Sequence, residues 1–136
     1  MAKIDEKLLQ ELIDNARKVS KHAYCPYSSF PVGAAILTPK GDIFTGCNVE
    51  NASLGLTICA ERNAIFHMIA EAQRQIVAVV VYTPTPTPSA PCGACRQVIN
   101  EFSPDAQIIS MCDGPDRLHV QLSELLPHAF GSTDLE

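Results

Sequence analysis

Three cysteines at the starts of two predicted helices restrict the fold of this 136-residue chain more than any other feature. Cys59 begins one of these helices, and Cys92 and Cys95 lie in the first turn of the other. Residues three positions apart on a helix are neighbours, so both sulfurs of the second pair can face one ion. The positive end of the helix dipole favours thiolates at both starts. If the two helix starts converge, three sulfurs surround one divalent cation.

The number of ligands indicates a catalytic zinc site. Structural zinc sites usually have four protein ligands, whereas catalytic sites have three and leave one position for water. Glu61 lies two residues after Cys59 and so points away from the ion, in a position suited to handling the protons of that water. Three thiolates leave Zn²⁺ with a net charge of −1, which weakens it as a Lewis acid. We therefore expect Arg62, Arg96 or both to donate to sulfur in the second shell of the metal.

Two other kinds of site remain open for these cysteines. A Cys-x-x-Cys pair can be a redox pair, although thiol exchange does not need a third cysteine before Ala-Glu. A structural zinc site would need a fourth ligand, taken from a histidine or from Cys25, Cys47 or Cys112. Otherwise we expect these three cysteines to be small buried hydrophobic residues.

Composition restricts the class of protein and its partners. With 46% hydrophobic residues and no low-complexity tract, we expect residues 1–136 to form a single domain with its own core. The formal net charge of −5 argues against a nucleic-acid partner and favours a small neutral or weakly charged substrate. We see neither a secretory signal nor an apolar segment long enough for a membrane, so we expect a cytoplasmic protein with free thiols and no membrane partner.

Hydrophobic periodicity and turn residues predict the element order α-β-β-α-β-α-β-β-α. The helices are expected at residues 5–22, 59–73, 92–102 and 123–126, and the strands at 30–38, 43–49, 76–82, 106–112 and 118–122. Short turns predict two antiparallel hairpins, one from the first two strands and one from the last two. The pattern indicates an α/β fold: a three-layer α-β-α sandwich with a mixed five-stranded sheet, whose middle strands run parallel through right-handed crossovers. The Thr-Pro repeat at 83–88 is expected to be an extended surface connector of little functional weight.

The whole pattern resembles the cytidine deaminase family, specifically the small homotetrameric form with a three-cysteine zinc site. Asn48 and Glu50 end the second predicted strand, where alternation puts both on one face, suited to binding a hydroxylated group. Zinc deaminases share a His/Cys-x-Glu and a Pro-Cys-x-x-Cys signature. The matching segments cover nearly the whole chain and are residues 27–28, 30–35, 46–52, 59–62, 91–97 and 125–130.

The resemblance implies the chemistry of the site. Cys59, Cys92 and Cys95 would hold one zinc ion per chain. Glu61 would take a proton from the water, protonate N3 of the pyrimidine and deliver a proton to the departing amine. Cytidine and deoxycytidine would become uridine and deoxyuridine with release of ammonia, as in pyrimidine salvage.

The resemblance also implies how the substrate is held. Asn48 and Glu50 would bind the ribose hydroxyls, Phe30 would pack on the nucleoside and Ala60 would also contact it. Phe130 would reach the site of a neighbouring subunit in a homotetramer. Leu54 departs from the family pattern, because many relatives have an aromatic residue there.

Related aminohydrolases remain an alternative, such as blasticidin S deaminase, which shares the zinc signature. The pair of Asn48 and Glu50 favours a ribonucleoside instead. A structural zinc or redox module would need no Glu61.

Overall fold

The computed structural model describes residues 2–136, in which the helices and strands follow the predicted order. The helices are α1 Glu6–Ser20, α2 Ala60–Ala70, α3 Gly93–Phe102 and α4 Leu122–Leu125. The strands are β1 Gly33–Leu37, β2 Ile43–Cys47, β3 Ala78–Tyr82, β4 Gln107–Met111 and β5 Leu118–Gln121. Two short 3₁₀ helices that were not predicted span Leu54–Leu56 and Ser132–Leu135.

The five strands form one sheet in the order β2-β1-β3-β4-β5. Both predicted hairpins are confirmed, since β1 pairs antiparallel with β2 and β4 pairs antiparallel with β5. The prediction of parallel middle strands is right for β3 and β4 but wrong for β1 and β3, which are antiparallel. The reason is that β1 lies between β2 and β3. The connection through α2 passes over β1, so the two strands that it joins are parallel without being neighbours.

The predicted three layers are confirmed by β1, where every residue is buried. Alternate residues of this strand pack on opposite faces of the sheet. Ala34 and Ile36 pack in the core layer that contains α2, α3 and α4 residues. Ala35 and Leu37 pack in the other layer against α1. Successive side chains of a strand point to opposite faces, so a fully buried strand needs a helix on each side.

Several elements begin or end away from the predicted positions. The strand predicted from residue 30 begins at Gly33. Before it, the carbonyl oxygen of Phe30 and the N–H of Val32 are hydrogen-bonded to the side chain of Asn48 instead of to a neighbouring strand. The last helix begins at Leu122 and not at Ser123. Its N-cap is Gln121, whose backbone N–H donates to the Glu124 carboxylate at 2.7 Å.

Gly46 lets α2 lie close against β2. A Cβ atom at this position would be 2.3 Å from the backbone nitrogen of Ala64, so only glycine fits there. This contact places the start of α2 over the end of the sheet where the candidate site lies. Among residues 2–136, no helix has both the length and the apolar composition needed to cross a membrane.

Candidate active site

The three predicted ligands come together at the starts of α2 and α3. Cys59 is the N-cap of α2, Cys92 is the N-cap of α3, and Cys95 lies in the first turn of α3. Their sulfur atoms all lie within 4.8 Å of one another, and those of Cys59 and Cys92 are 3.8 Å apart. Tetrahedral zinc with Zn–S bonds of about 2.3 Å separates its sulfurs by about 3.8 Å. The donor set and its spacing therefore fit a zinc ion.

The cluster contains three ligands and not four. Within the described part of the chain, no further histidine, cysteine, aspartate or glutamate has its ligand atom inside the group. Cys25, Cys47 and Cys112 are free thiols outside it. Three protein ligands are the number that is typical of catalytic zinc centres.

The cluster favours ionised sulfur at Cys59. A hydrogen bond from Cys95 and another from Arg62 lower the pKa of the Cys59 thiol to about 5. The same pairing and burial raise the pKa of the Cys95 thiol. A thiolate is the form that binds a metal ion.

The two predicted second-shell arginines make different contacts. Arg62 Nη2 donates to Cys59 Sγ at 3.4 Å, and this contact raises the pKa of the guanidinium. Arg96 Nε donates to the carbonyl oxygen of Pro91 at 2.7 Å, and its Nη1 donates to that of Leu125 at 3.0 Å. The expected contact between Arg96 and sulfur is therefore replaced by one that fastens the Pro91 turn to α4.

Glu61 lies in the first turn of α2 and lines the same pocket as Cys59. Its side chain is only 5% exposed, and this burial raises the pKa of its carboxyl group. Desolvation destabilises the charged form of a carboxylate. A carboxyl whose pKa moves toward neutrality is suited to taking up and releasing protons during one reaction.

A pocket of about 400 Å³ lies in front of the cluster. Among the predicted substrate contacts, those that line it are Phe30, Asn48, Glu50 and Ala60. A volume of this size is within the range of sites for small organic ligands. Phe130 does not line this pocket. It is 59% exposed, and its carbonyl oxygen accepts a hydrogen bond of 2.8 Å from Gln97 Nε2.

Asn48 is occupied by hydrogen bonds to the pocket wall. Its Nδ2 donates to the carbonyl oxygen of Phe30, and its Oδ1 accepts from the N–H of Val32, both at 2.8 Å. The side chain is buried. Asn48 therefore holds the segment that carries the Phe30 ring at the pocket.

Glu50 binds the loop that precedes this segment. Its carboxylate accepts from the backbone N–H groups of Tyr27 at 2.9 Å and Ser28 at 3.1 Å, and from the Ser28 hydroxyl. The Ser28 hydroxyl and these N–H groups lower the pKa of Glu50. A carboxylate has about four acceptor positions, so one remains for a hydroxyl group in the pocket.

The Thr-Pro repeat differs from the predicted connector. Residues 84–87 form bends, and Thr83 and the residues just after the repeat, Ser89 and Ala90, line the pocket. The Asp113 N–H donates to the carbonyl oxygen of Thr85 at 2.9 Å, which ties the segment to the β4–β5 connection. Sequence reasoning missed these pocket residues. The available signal was the position of Thr83 directly after the apolar run of β3.

The comparisons with known proteins agree with this geometry. Residues 6–111 match the family model described as the cytidine and deoxycytidylate deaminase zinc-binding region. A cytidine deaminase of Halalkalibacterium halodurans is 46% identical over 127 residues, which are 93% of this chain and 96% of that protein. One of Sporosarcina psychrophila is 41% identical, with coverage of 93% and 94%.

Solved structures lead to the same family. The crystal structure of cytidine deaminase from Burkholderia pseudomallei matches with a TM-score of 0.86 and 44% identity, covering 89% of this chain and 98% of that one. The fold and the three-cysteine cluster thus define a hydrolytic deaminase of the zinc-binding class. More specifically, the chain belongs to the cytidine and deoxycytidylate deaminase family. The resemblance drawn from the sequence is confirmed at this level.

Proposed function

We propose that this enzyme hydrolyses cytidine and deoxycytidine to uridine and deoxyuridine and releases ammonia. The main support for this proposal is that Glu61 and Cys59 line the same pocket as Asn48 and Glu50. Cys59, Cys92 and Cys95 would hold one zinc ion per chain, and residues 1–136 would act as a single catalytic domain. A zinc ion bound there lowers the pKa of a water molecule and so supplies a nucleophile near neutral pH.

Glu61 carries the proton transfers in this proposal. Its carboxyl group takes a proton from the attacking water and gives it to N3 of the pyrimidine, then takes the second proton of that water from the hydroxyl group formed at C4 and delivers it to the leaving amino group. Its burial keeps bulk water away from these transfers and raises its pKa above the usual value of 4.5. Arg62 compensates part of the negative charge of the sulfurs through its contact with Cys59.

The pocket residues determine the proposed substrate class. Glu50 accepts from a ribose hydroxyl with its remaining acceptor position, and Asn48 holds the sugar side of the pocket. Phe30 and Ala60 contact the nucleoside. A carboxylate beside the sugar repels phosphate, and the formal net charge of −5 adds to this repulsion, so free nucleosides are favoured over cytosine in a strand.

We also propose that the active form is a cytoplasmic homotetramer acting in pyrimidine salvage, with Phe130 completing a neighbour's site. The support is the number of large apolar side chains that the single chain exposes. They include Tyr24, Tyr27, Val49, Leu54, Leu56, Phe66 and Phe130. Leu54, which departs from the family's aromatic residue, is 69% exposed. Exposed apolar side chains that form a patch are typical of subunit interfaces.

Ammonia release by the purified protein tests this function. We expect turnover of cytidine and deoxycytidine that a zinc chelator abolishes and that added zinc restores. We expect no comparable turnover of blasticidin S or of cytosine within a single-stranded oligonucleotide. Turnover of blasticidin S alone would replace the proposed substrate, and chelator-resistant turnover would refute the zinc chemistry.

A further inference from the structure

Thr83 lines the pocket from the sheet side. Its N–H donates to the carbonyl oxygen of Met111 at 3.1 Å, which continues the pairing of β3 with β4 by one residue. Val79 and Val81 of β3 pack in the core layer that contains the start of α2. Alternation along the strand directs Thr83 to this same layer. Thr83 is 5% exposed and lines the pocket together with Glu61.

A chain of hydrogen bonds determines which way the Thr83 hydroxyl donates. Thr85 Oγ1 donates to the carbonyl oxygen of Thr87 at 2.7 Å. Thr83 Oγ1 and Thr85 Oγ1 are 2.8 Å apart. Each hydroxyl has one hydrogen, and that of Thr85 is already used. The hydrogen between the two hydroxyls therefore belongs to Thr83, whose oxygen has only acceptor lone pairs left for a further partner.

We propose that Thr83 is a specificity-determining residue that accepts a hydrogen bond from the exocyclic amino group of the bound base. This inference rests on the proposed function. The sugar is assigned to Asn48 and Glu50, so the donor that reaches β3 belongs to the base. A 4-amino group can donate to Thr83, whereas the 4-oxo group of the product has no hydrogen to donate. The Thr83 oxygen thus favours the substrate over the product.

Replacing the hydroxyl by a methyl group of the same size tests this assignment. We expect Thr83→Val to lower kcat/KM for cytidine and for deoxycytidine by the same factor, about tenfold, because one neutral hydrogen bond is lost. Thr83→Ser keeps the oxygen and should stay within about twofold of wild type. Thr38→Val is the matched control, because Thr38 is equally buried but lies at the end of β1 outside the pocket residues. It should leave kcat/KM unchanged.

The inhibition constant of uridine separates the base from the sugar. It should stay the same or become smaller in Thr83→Val, because the sugar contacts are intact and an unfavourable contact between two acceptors is gone. Thr85→Val frees the Thr83 hydrogen to donate into the pocket, so uridine should inhibit this variant more tightly than wild type. Thermal unfolding of each variant shows that the fold is retained.

The outcomes distinguish this inference from the proposed function. If wild type deaminates cytidine and Thr83→Val does so with the same kcat/KM, the inference alone is wrong. If uridine inhibition weakens by the same factor as kcat/KM, or if the loss is confined to cytidine, Thr83 contacts the sugar and the assignment to the amino group is overturned. A wild-type chain that neither turns over nor binds nucleosides would overturn the inference together with the function.

Discussion

The guanidinium of Arg62 lies 3.4 Å from the sulfur of Cys59, one turn along the same helix. This contact puts a fixed positive charge beside one of three sulfurs that would together give Zn²⁺ a net negative charge. A cation that shares the charge of a ligand strengthens the metal as a Lewis acid. The contact therefore links the start of α2 to the acidity of a water molecule at the proposed centre.

The first prediction concerns the metal. We expect one zinc ion per chain in the wild type and loss of both zinc and activity in Cys92→Ala, because two remaining thiolates do not hold the ion. Elemental analysis of purified protein measures this ratio. Cys25→Ala is the control, since its thiol lies outside the cluster, and it should retain zinc. A spectroscopic finding of four protein ligands and no exchangeable water would contradict a catalytic site.

The second prediction concerns proton transfer. Glu61→Gln should retain zinc and the fold, while kcat falls by at least about 10², because each proton transfer by a positioned side chain typically contributes 10²–10⁴. The amide keeps the shape of the carboxyl group but cannot exchange protons in the same way. Single-turnover kinetics measure this loss. A decrease below tenfold would remove Glu61 from the mechanism.

The third prediction is a pH dependence of stability. The pKa of Glu50 is lowered from its usual value of 4.5, mainly by the Ser28 hydroxyl. The ionised carboxylate therefore stabilises the folded state above pH 4.5, and this contribution is lost as the pH falls through the lower, folded pKa. We expect wild type to lose part of its thermal stability in this acid range. Glu50→Gln should lack this part of the pH dependence, so that its thermal midpoint differs from that of wild type less at acid pH than at neutral pH. A constant difference across the range would refute this role of the carboxylate.

The fourth prediction concerns a buried hydroxyl in the sheet. Ser110 Oγ is buried and has no hydrogen-bond partner among residues 2–136. The residues paired with it on the two neighbouring strands, Val81 and Leu118, are apolar and offer its hydroxyl no side-chain partner. An unsatisfied buried polar group costs about 1–3 kcal/mol. We expect Ser110→Ala to raise the free energy of unfolding by about 1 kcal/mol, which corresponds to roughly 3 °C in the thermal midpoint.

Ser103→Ala is the matched comparison for this effect. The Ser103 hydroxyl accepts from the N–H of Ile76 at 2.7 Å, so its removal leaves a buried donor unpaired. This variant should be destabilised by about 1–3 kcal/mol. Calorimetry at one protein concentration measures both changes. Destabilisation of Ser110→Ala by a similar amount would mean that its hydroxyl has a partner in solution.

The last prediction concerns sites shared between subunits. Phe130→Ala chains supply an intact Glu61, and Glu61→Gln chains supply an intact Phe130. If Phe130 completes a neighbour's pocket, mixed tetramers contain some sites with both residues intact. Co-refolded mixtures should then be more active than the sum of the two separate variants. Confirmed mixed tetramers with no such gain would show that Phe130 acts within its own chain or only in packing.

Local patterns were enough to predict the three-cysteine cluster and the contact of Arg62 with it. Cys92 and Cys95 lie in one helical turn, and Cys59 and Arg62 in another, so their relative positions follow from the geometry of a helix. The order of helices and strands follows in the same way from periodicity and turn residues. The contact between Arg62 and Cys59 needs no distant partner.

Only the tertiary structure decided which groups distant segments bring together. Arg96 comes directly after the Cys92–Cys95 motif, as Arg62 comes directly after the Cys59–Glu61 motif, yet it donates to Leu125, 29 residues away, because α4 packs beside α3. β1 pairs antiparallel with β3 because β1, and not β2, is the strand of the first hairpin that joins the rest of the sheet. Thr83 faces the pocket because β3 pairs with both β1 and β4 in one register. These arrangements come from packing between segments far apart in the chain, which neither helical period nor motif spacing encodes.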